Sequence, residues 1–140
     1  MQYNIRQAIA QDIDILDSIY TENMKKYVEK VYPWNPQLFR NGFFPQDYQV
    51  LEINHQIIGF MKLVSSETEI YLAEIQIIKD YQKQGIGTKL IQSVMQQAQA
   101  DNKILWLKVI QGNPAKKLYE KLGFTELRKS LYHFIMVNKP

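Results

Sequence analysis

The chain has 140 residues, 46% of them hydrophobic, with no cysteine and a formal charge of +3. That length suits one domain, residues 1–140, whose core is large enough to stand without staples. The lack of cysteine excludes disulfides, thiolate metal sites and a cysteine nucleophile, and the scattered Lys and Arg exclude the dense basic stripe of a nucleic-acid binder.

The opening Met1-Gln2-Tyr3-Asn4-Ile5-Arg6 has no apolar run, so it does not read as a signal peptide. No stretch is long and apolar enough to cross a membrane, and a soluble cytoplasmic protein is expected. Tyr3 to Ile9 reads as a strand. Asp12 to Val31 carries Ile13, Leu16, Tyr20, Met24 and Tyr27 near helical spacing, with acids early and lysines late as the helix dipole prefers. Pro33 stops that helix, and Asn35-Pro36 starts a short second one, with Asn as cap and Pro at the first helical position. Three strand-like runs follow, Gln49–Ile53, Gln56–Val64 and Glu69–Ile78, with Asn54-His55 as a tight hairpin and Ser65-Ser66-Glu67 as the next turn.

Ile86, Leu90, Ile91, Val94, Met95 and Ala98 then form one apolar helix face. Ile104 to Ile110 is a nearly continuous apolar run, as expected of a buried strand. Ala115, Leu118, Tyr119 and Leu122 make another helical stripe, ending at Gly123 as a left-handed cap. Phe124–Leu127 and Leu131–Val137 close the chain as strands. The order β-α-α-β-β-β-α-β-α-β-β describes an α/β sheet with helices set between strands.

Gln82-Lys83-Gln84-Gly85-Ile86-Gly87 lies between a strand and a helix. Glycines there let backbone approach a ligand, and the helix start offers N–H groups to an anion; a plain strand-to-helix turn uses the same residues. Two nucleotide motifs are rejected. Gly87 is followed by Thr88 and then Lys89, which is not a P-loop ending, and Leu90 stands where a dinucleotide fingerprint needs its last glycine.

Tyr71-Leu72-Ala73-Glu74-Ile75-Gln76-Ile77-Ile78 running into Asp80-Tyr81 and this glycine segment resembles the central motif of the GNAT acetyltransferase superfamily. A second block, Asn113-Pro114-Ala115-Lys116-Lys117-Leu118-Tyr119-Glu120-Lys121-Leu122-Gly123-Phe124, is similar to the family's later motif and lies in the right order. The resemblance covers the last half of the chain, while the first half agrees in element order alone. It implies a GNAT fold: a central mixed, mostly antiparallel sheet with a V-shaped splay between its two middle strands, flanked by about four helices. It also implies acetyl-CoA as acyl donor, an amine acceptor attacking the thioester directly, and no metal.

By the same resemblance, backbone groups of Ile75 and Ile77, beside Gln76, pair with the pantetheine arm. Backbone N–H groups along Gln82, Lys83, Gln84, Gly85, Ile86, Gly87 and Thr88 hold the pyrophosphate, and Asn113 and Lys116 touch the coenzyme. Tyr119 matches the tyrosine that protonates the departing thiolate; it also lies on the apolar stripe of its own helix, where a core aromatic is equally at home. Glu74 is the candidate base, acting directly or through a water. An acid within an apolar strand either has its pKa raised by burial or is paired or turned to solvent.

Two departures from the family pattern matter. Asn113 stands six residues before Tyr119, where many members have seven, and Asn-Pro before a helix is explained by capping alone. Lys108 stands where some relatives that acetylate protein N-termini carry a glutamate, which favours a small amine or a lysine-like side chain as acceptor. Among the histidines, His55 reads as an exposed turn residue and His133 as half-buried, and neither has acids at ligand spacing. Tyr27, Tyr32, Trp34, Phe39, Phe43, Phe44 and Tyr48 suggest either a core under irregular helices or an aromatic acceptor wall able to hold an amine by cation–π contact. The different class of reading is a catalytically silent acyl-CoA-binding module. A monomer or homodimer is expected, with no nucleic-acid or membrane partner.

Overall fold

The computed structural model describes residues 2–140; Met1, with which the opening stretch begins, lies outside the described residues. Eleven regular elements follow the expected order: β1 (Asn4–Gln7), α1 (Ile13–Val28), α2 (Leu38–Asn41), β2 (Tyr48–Ile53), β3 (Gln56–Ser65), β4 (Glu69–Ile77), α3 (Ile86–Ala100), β5 (Ile104–Ile110), α4 (Ala115–Lys121), β6 (Thr125–Lys129) and β7 (His133–Asn138). The seven strands form one sheet in the order β1-β2-β3-β4-β5-β7-β6. It is mixed: β4 and β5 run parallel, while β1–β2, β2–β3, β5–β7 and β6–β7 pair antiparallel. The parallel register comprises Glu69↔Ile104, Ile70↔Leu105 and Tyr71↔Trp106, and the rings of Tyr71 and Trp106 stack at 4.0 Å and 8°. A cross-strand aromatic pair of this kind pins a register. No described helix is long and apolar enough to cross a membrane.

The chain divides into two compact units, Met1–Lys62 with Glu74–Gln84, and Leu63–Ala73 with Gly85–Pro140. In the first, Ala8, Leu16, Ile19, Phe39, Tyr48, Val50 and Phe60 form a buried cluster, against which Tyr20, Phe43, Ile57 and Ile78 pack. β1 is tied to the approach to α1 by Arg6, whose guanidinium donates to both oxygens of buried Asp12 at 2.9 and 3.0 Å. Asp12 also accepts the Ile9 N–H at 2.8 Å, and these donors hold its carboxyl below the usual carboxylate range. In the second unit, Leu90, Ile91, Val94 and Ala98 of α3 and Leu105, Leu107 and Val109 of β5 are buried.

The differences from the sequence expectation have local causes. β1 is shorter than Tyr3–Ile9 because the Ile9 N–H turns to Asp12 and a 3-10 turn, Ala10–Asp12, begins. α1 stops at Val28 rather than Val31, since the approach to Pro33 disfavours helical backbone and Val31 and Tyr32 fold back onto the Val28 carbonyl. α2 starts at Leu38 rather than at Pro36: the Asn35 carboxamide oxygen accepts the Gln37 N–H at 2.9 Å, making a turn where a helix start was expected. β5 is less evenly buried than its apolar run suggests: Leu105, Leu107, Val109 and Ile110 are buried, Ile104 and Trp106 partly so, and Lys108 is exposed. The β6–β7 hairpin is displaced toward the C-terminus, its turn closed by the Ser130 N–H on the His133 carbonyl at 2.8 Å. The Asn54-His55 hairpin has both residues at positive φ, 50° and 65°, as a type I′ turn requires, and Gly123 lies at φ 102°.

Gly59 of β3 is a close-approach glycine. A Cβ there would collide with the carbonyl oxygen of Gln76 and lie 2.9 Å from Ile77 Cδ1. Gly59→Ala is therefore expected to cost about 1–3 kcal/mol of stability through overpacking, read as a lowered urea midpoint with an unchanged slope. An unchanged midpoint would show that β4 has room to move.

Candidate active site

Glu74 lies on β4, partly buried, and burial pushes its carboxyl up to about 7, against smaller opposing effects from Gln76 and Lys62. Gln76 Nε2 donates to Glu74 Oε1 at 3.0 Å. Gln76 Oε1 in turn accepts from Asn23 Nδ2 of α1 at 3.1 Å, and the same nitrogen donates to the Ile77 carbonyl at 2.9 Å. Gln82 Nε2 reaches that carbonyl at 2.8 Å and Asn23 Oδ1 at 3.4 Å. Three side-chain amides thus run unbroken from Gln82 to the Glu74 carboxylate.

Around the carboxylate stand Lys62 of β3, whose ammonium lies 5.4 Å from the Tyr48 ring centroid, and the phenols of Tyr20 and Tyr48. Burial and the Glu74 charge both raise the two phenols, so they stay neutral donors through the working pH range. Tyr20 stacks on Trp34 at 5.9 Å and packs on Phe39 at 5.2 Å. Of the aromatic residues weighed as an acceptor wall, Phe39 and Tyr48 are buried in the core and Phe43 packs against them. Phe44 is 54% exposed, and Tyr27 sits beneath the Lys26 and Lys30 ammonium groups.

The Ile78 N–H bonds the Ile58 carbonyl at 2.8 Å. Strand alternation then puts the backbone groups of Ile75 and Ile77 on the edge of β4 that faces away from β3. The Ile77 carbonyl already accepts two amides, so a coenzyme contact at Ile77 is left to its N–H.

Beyond a 3-10 turn, Lys79–Tyr81, the glycine segment has Lys83 at φ 61° and Gly85 at φ 84°. Gln84 Nε2 donates to the Asp80 carbonyl at 2.9 Å. Gly85 is the cap residue of α3 and supplies no side-chain hydrogen bond to the helix start. A Cβ at Gly85 or Gly87 would meet nothing within 4 Å. The first N–H groups of this fifteen-residue helix have no acceptor within the helix and lie at its positive end, a donor set that suits a pyrophosphate. Ile86 turns its side chain into the core, leaving only its backbone for a ligand, and Thr88 is partly exposed.

In the second unit Tyr119 is buried, 9% exposed, with its ring edge-on to Phe124 at 5.7 Å. The Asn113 carboxamide oxygen accepts the Ala115 N–H at 3.0 Å, which is the capping role. Lys116 pairs with Glu126 at 3.0 Å and lies 3.9 Å over the Phe134 ring. A phosphate at Lys116 has to compete with both partners. His133 is partly buried, and burial together with Lys108 holds its imidazole below the usual histidine value.

Asn23, Lys62 and Tyr20 stand around the Glu74–Gln76 pair and were not named as site residues from sequence. Asn23 left one signal: it follows Tyr20 by three positions and precedes Tyr27 by four, so it is a polar residue on an apolar helix face.

A family model described as an acetyltransferase (GNAT) domain matches residues 44–126, a span that holds Glu74, the glycine segment, Asn113 and Tyr119. The chain is 39% identical over 82 residues to the ribosomal protein bS18-alanine N-acetyltransferase of Haemophilus influenzae, a match covering 56% of each protein. It thus spans about half the length of that relative. It is 26% identical to an N-alpha-acetyltransferase of Sulfurisphaera tokodaii, over 95% of this chain and 86% of that one. In fold it is similar to the PaiA N-acetyltransferase of Thermoplasma acidophilum in complex with coenzyme A, with a TM-score of 0.80, 18% identity and full coverage of both chains.

Proposed function

The chain belongs to the GNAT acetyltransferase domain family, and from that premise we propose that it transfers an acetyl group from acetyl-CoA to a primary amine by direct attack. The observation that carries the reading is the placement of Glu74 on the strand that leads into the glycine segment, within the span that matches the family; burial there pushes its carboxyl up to about 7. A base near neutrality is what an attacking amine needs, since only its unprotonated form is a nucleophile.

The residues divide the work as follows. Backbone N–H groups between Lys83 and Thr88 hold the pyrophosphate, with the dipole of α3 behind them. The edge groups of Ile75 and Ile77 bond the pantetheine amides as an added strand would. The amine gives a proton to Glu74, directly or through one water, as its nitrogen bonds the acetyl carbonyl carbon. The carbon–sulfur bond breaks, and Tyr119 supplies a proton to the departing thiolate. Asn113 and Lys116 are secondary contacts, because their polar groups already serve the α4 cap and the Glu126 pair.

For the acceptor, exposed Lys108 favours a small amine or a lysine-like side chain. A second reading, the α-amino group of a protein, is supported by the names of both curated relatives. The deciding experiment follows thiol release from acetyl-CoA across polyamines, lysine peptides and peptides with free N-termini. Turnover is expected with at least one class. Tight acetyl-CoA binding without turnover on any of them would instead mark a silent acyl-CoA-binding module.

A further inference from the structure

The amide chain beside Glu74 has a direction, and a backbone atom sets it. A carbonyl oxygen only accepts, so the Ile77 carbonyl obliges Asn23 to present Nδ2, at 2.9 Å. The second proton of that nitrogen meets the Gln76 carboxamide at 3.1 Å, which obliges Gln76 to turn Oε1 toward Asn23. Gln76 then has only Nε2 for Glu74, at 3.0 Å. Turned the other way, Gln76 would set a carbonyl oxygen against the carboxylate. Gln76 is 9% exposed, so water does not readily replace the lost partner.

We propose that Asn23 is a positioning residue for Glu74, locking the Gln76 carboxamide so that its N–H faces the carboxylate. The proposal rests on the acetyltransfer reading only for its effect on rate. Asn23 itself does not touch the carboxylate: it is bonded to Gln76, Ile77 and Gln82. The groups that face Glu74 are Gln76 on its own strand, Lys62 from β3, Tyr20 from α1 and Tyr48 from β2. Lys62 is the one cation among them and both phenols are neutral, so Gln76 is the neighbour whose contribution changes sign when it flips.

The test reads the carboxyl directly. Protein labelled with carbon-13 at glutamate carboxyls is titrated by NMR, with the Glu74 signal assigned from Glu74→Gln. Asn23→Leu is expected to raise the Glu74 midpoint by about one pH unit, the effect of losing a hydrogen bond to a charged group. Gln76→Met is expected to do the same. The double variant should move it no further than Gln76→Met alone, since Asn23 acts only through Gln76. If Asn23→Leu does not fold, Asn23→Ala is read in the same way. An unmoved midpoint in the Asn23 variant, or additive shifts in the double variant, overturns the proposal. A midpoint that moves while the acid limb of kcat/KM stays in place upholds Asn23 as positioning residue and removes Glu74 from catalysis, so the two readings fail separately.

Discussion

Glu74→Gln is expected to lower kcat/KM about 100-fold or more at pH 8 and to abolish the acid limb of the pH–rate profile. The wild-type limb should fall near pH 7, because the carboxyl is held at about 7 by burial and works as a base only when ionised. Activity therefore rises with pH through that value and is lost below it. A limb that persists in the variant would assign it to the amine or to another group. The same carboxyl carries a stability cost of opposite pH sense. Its folded pKa lies above its ordinary value of 4.5, so the folded protein loses stability as pH rises from there through about 7. Glu74→Gln should consequently be more stable than wild type at pH 8, by up to about 3 kcal/mol, and close to it at pH 4. A gain in thermal midpoint together with a loss of rate would show a group kept for chemistry at the expense of stability.

Tyr119→Phe should lower kcat about 100-fold while leaving the Kd for acetyl-CoA within about threefold. Phenylalanine preserves the ring that packs edge-on to Phe124, so the fold of α4 is retained and the change isolates the hydroxyl. Stopped assays of thiol release and calorimetric titration with coenzyme separate the two quantities. An acyl donor whose thiol is more acidic needs less protonation as it leaves, and the variant should be closer to wild type with it. Equal kcat in the variant would return Tyr119 to the role of a core aromatic.

The element order was legible because each element carries its own periodicity: Leu90, Ile91, Val94 and Ala98 define α3 without reference to anything distant. Asn54-His55 and Gly123 were legible for a similar reason, since turn chemistry is local. Element ends were less so. α2 begins at Leu38 because the Asn35 side chain caps a turn instead of a helix, and residue type alone does not separate those outcomes. The placement of β7 between β5 and β6 carries no sequence signal, since strand order is decided by long-range pairing.

At the site, the glycine segment and Glu74 were visible as motif and as an acid in an apolar run. For Asn113 the sequence already offered helix capping, and its side chain does bond the start of α4, while the pairing of Lys116 with Glu126 had no local signal. Asn23 left only the signal of a polar residue on an apolar helix face, and nothing local links it to Gln76, 53 residues on. By itself the sequence determined the family, the glycine motif and an acid set within an apolar strand, because these rest on local spacing. Only the tertiary structure decided that this carboxylate sits near neutrality and which amide faces it, because burial and hydrogen-bond direction come from groups on α1, β2 and β3 that meet β4 only once the chain has folded.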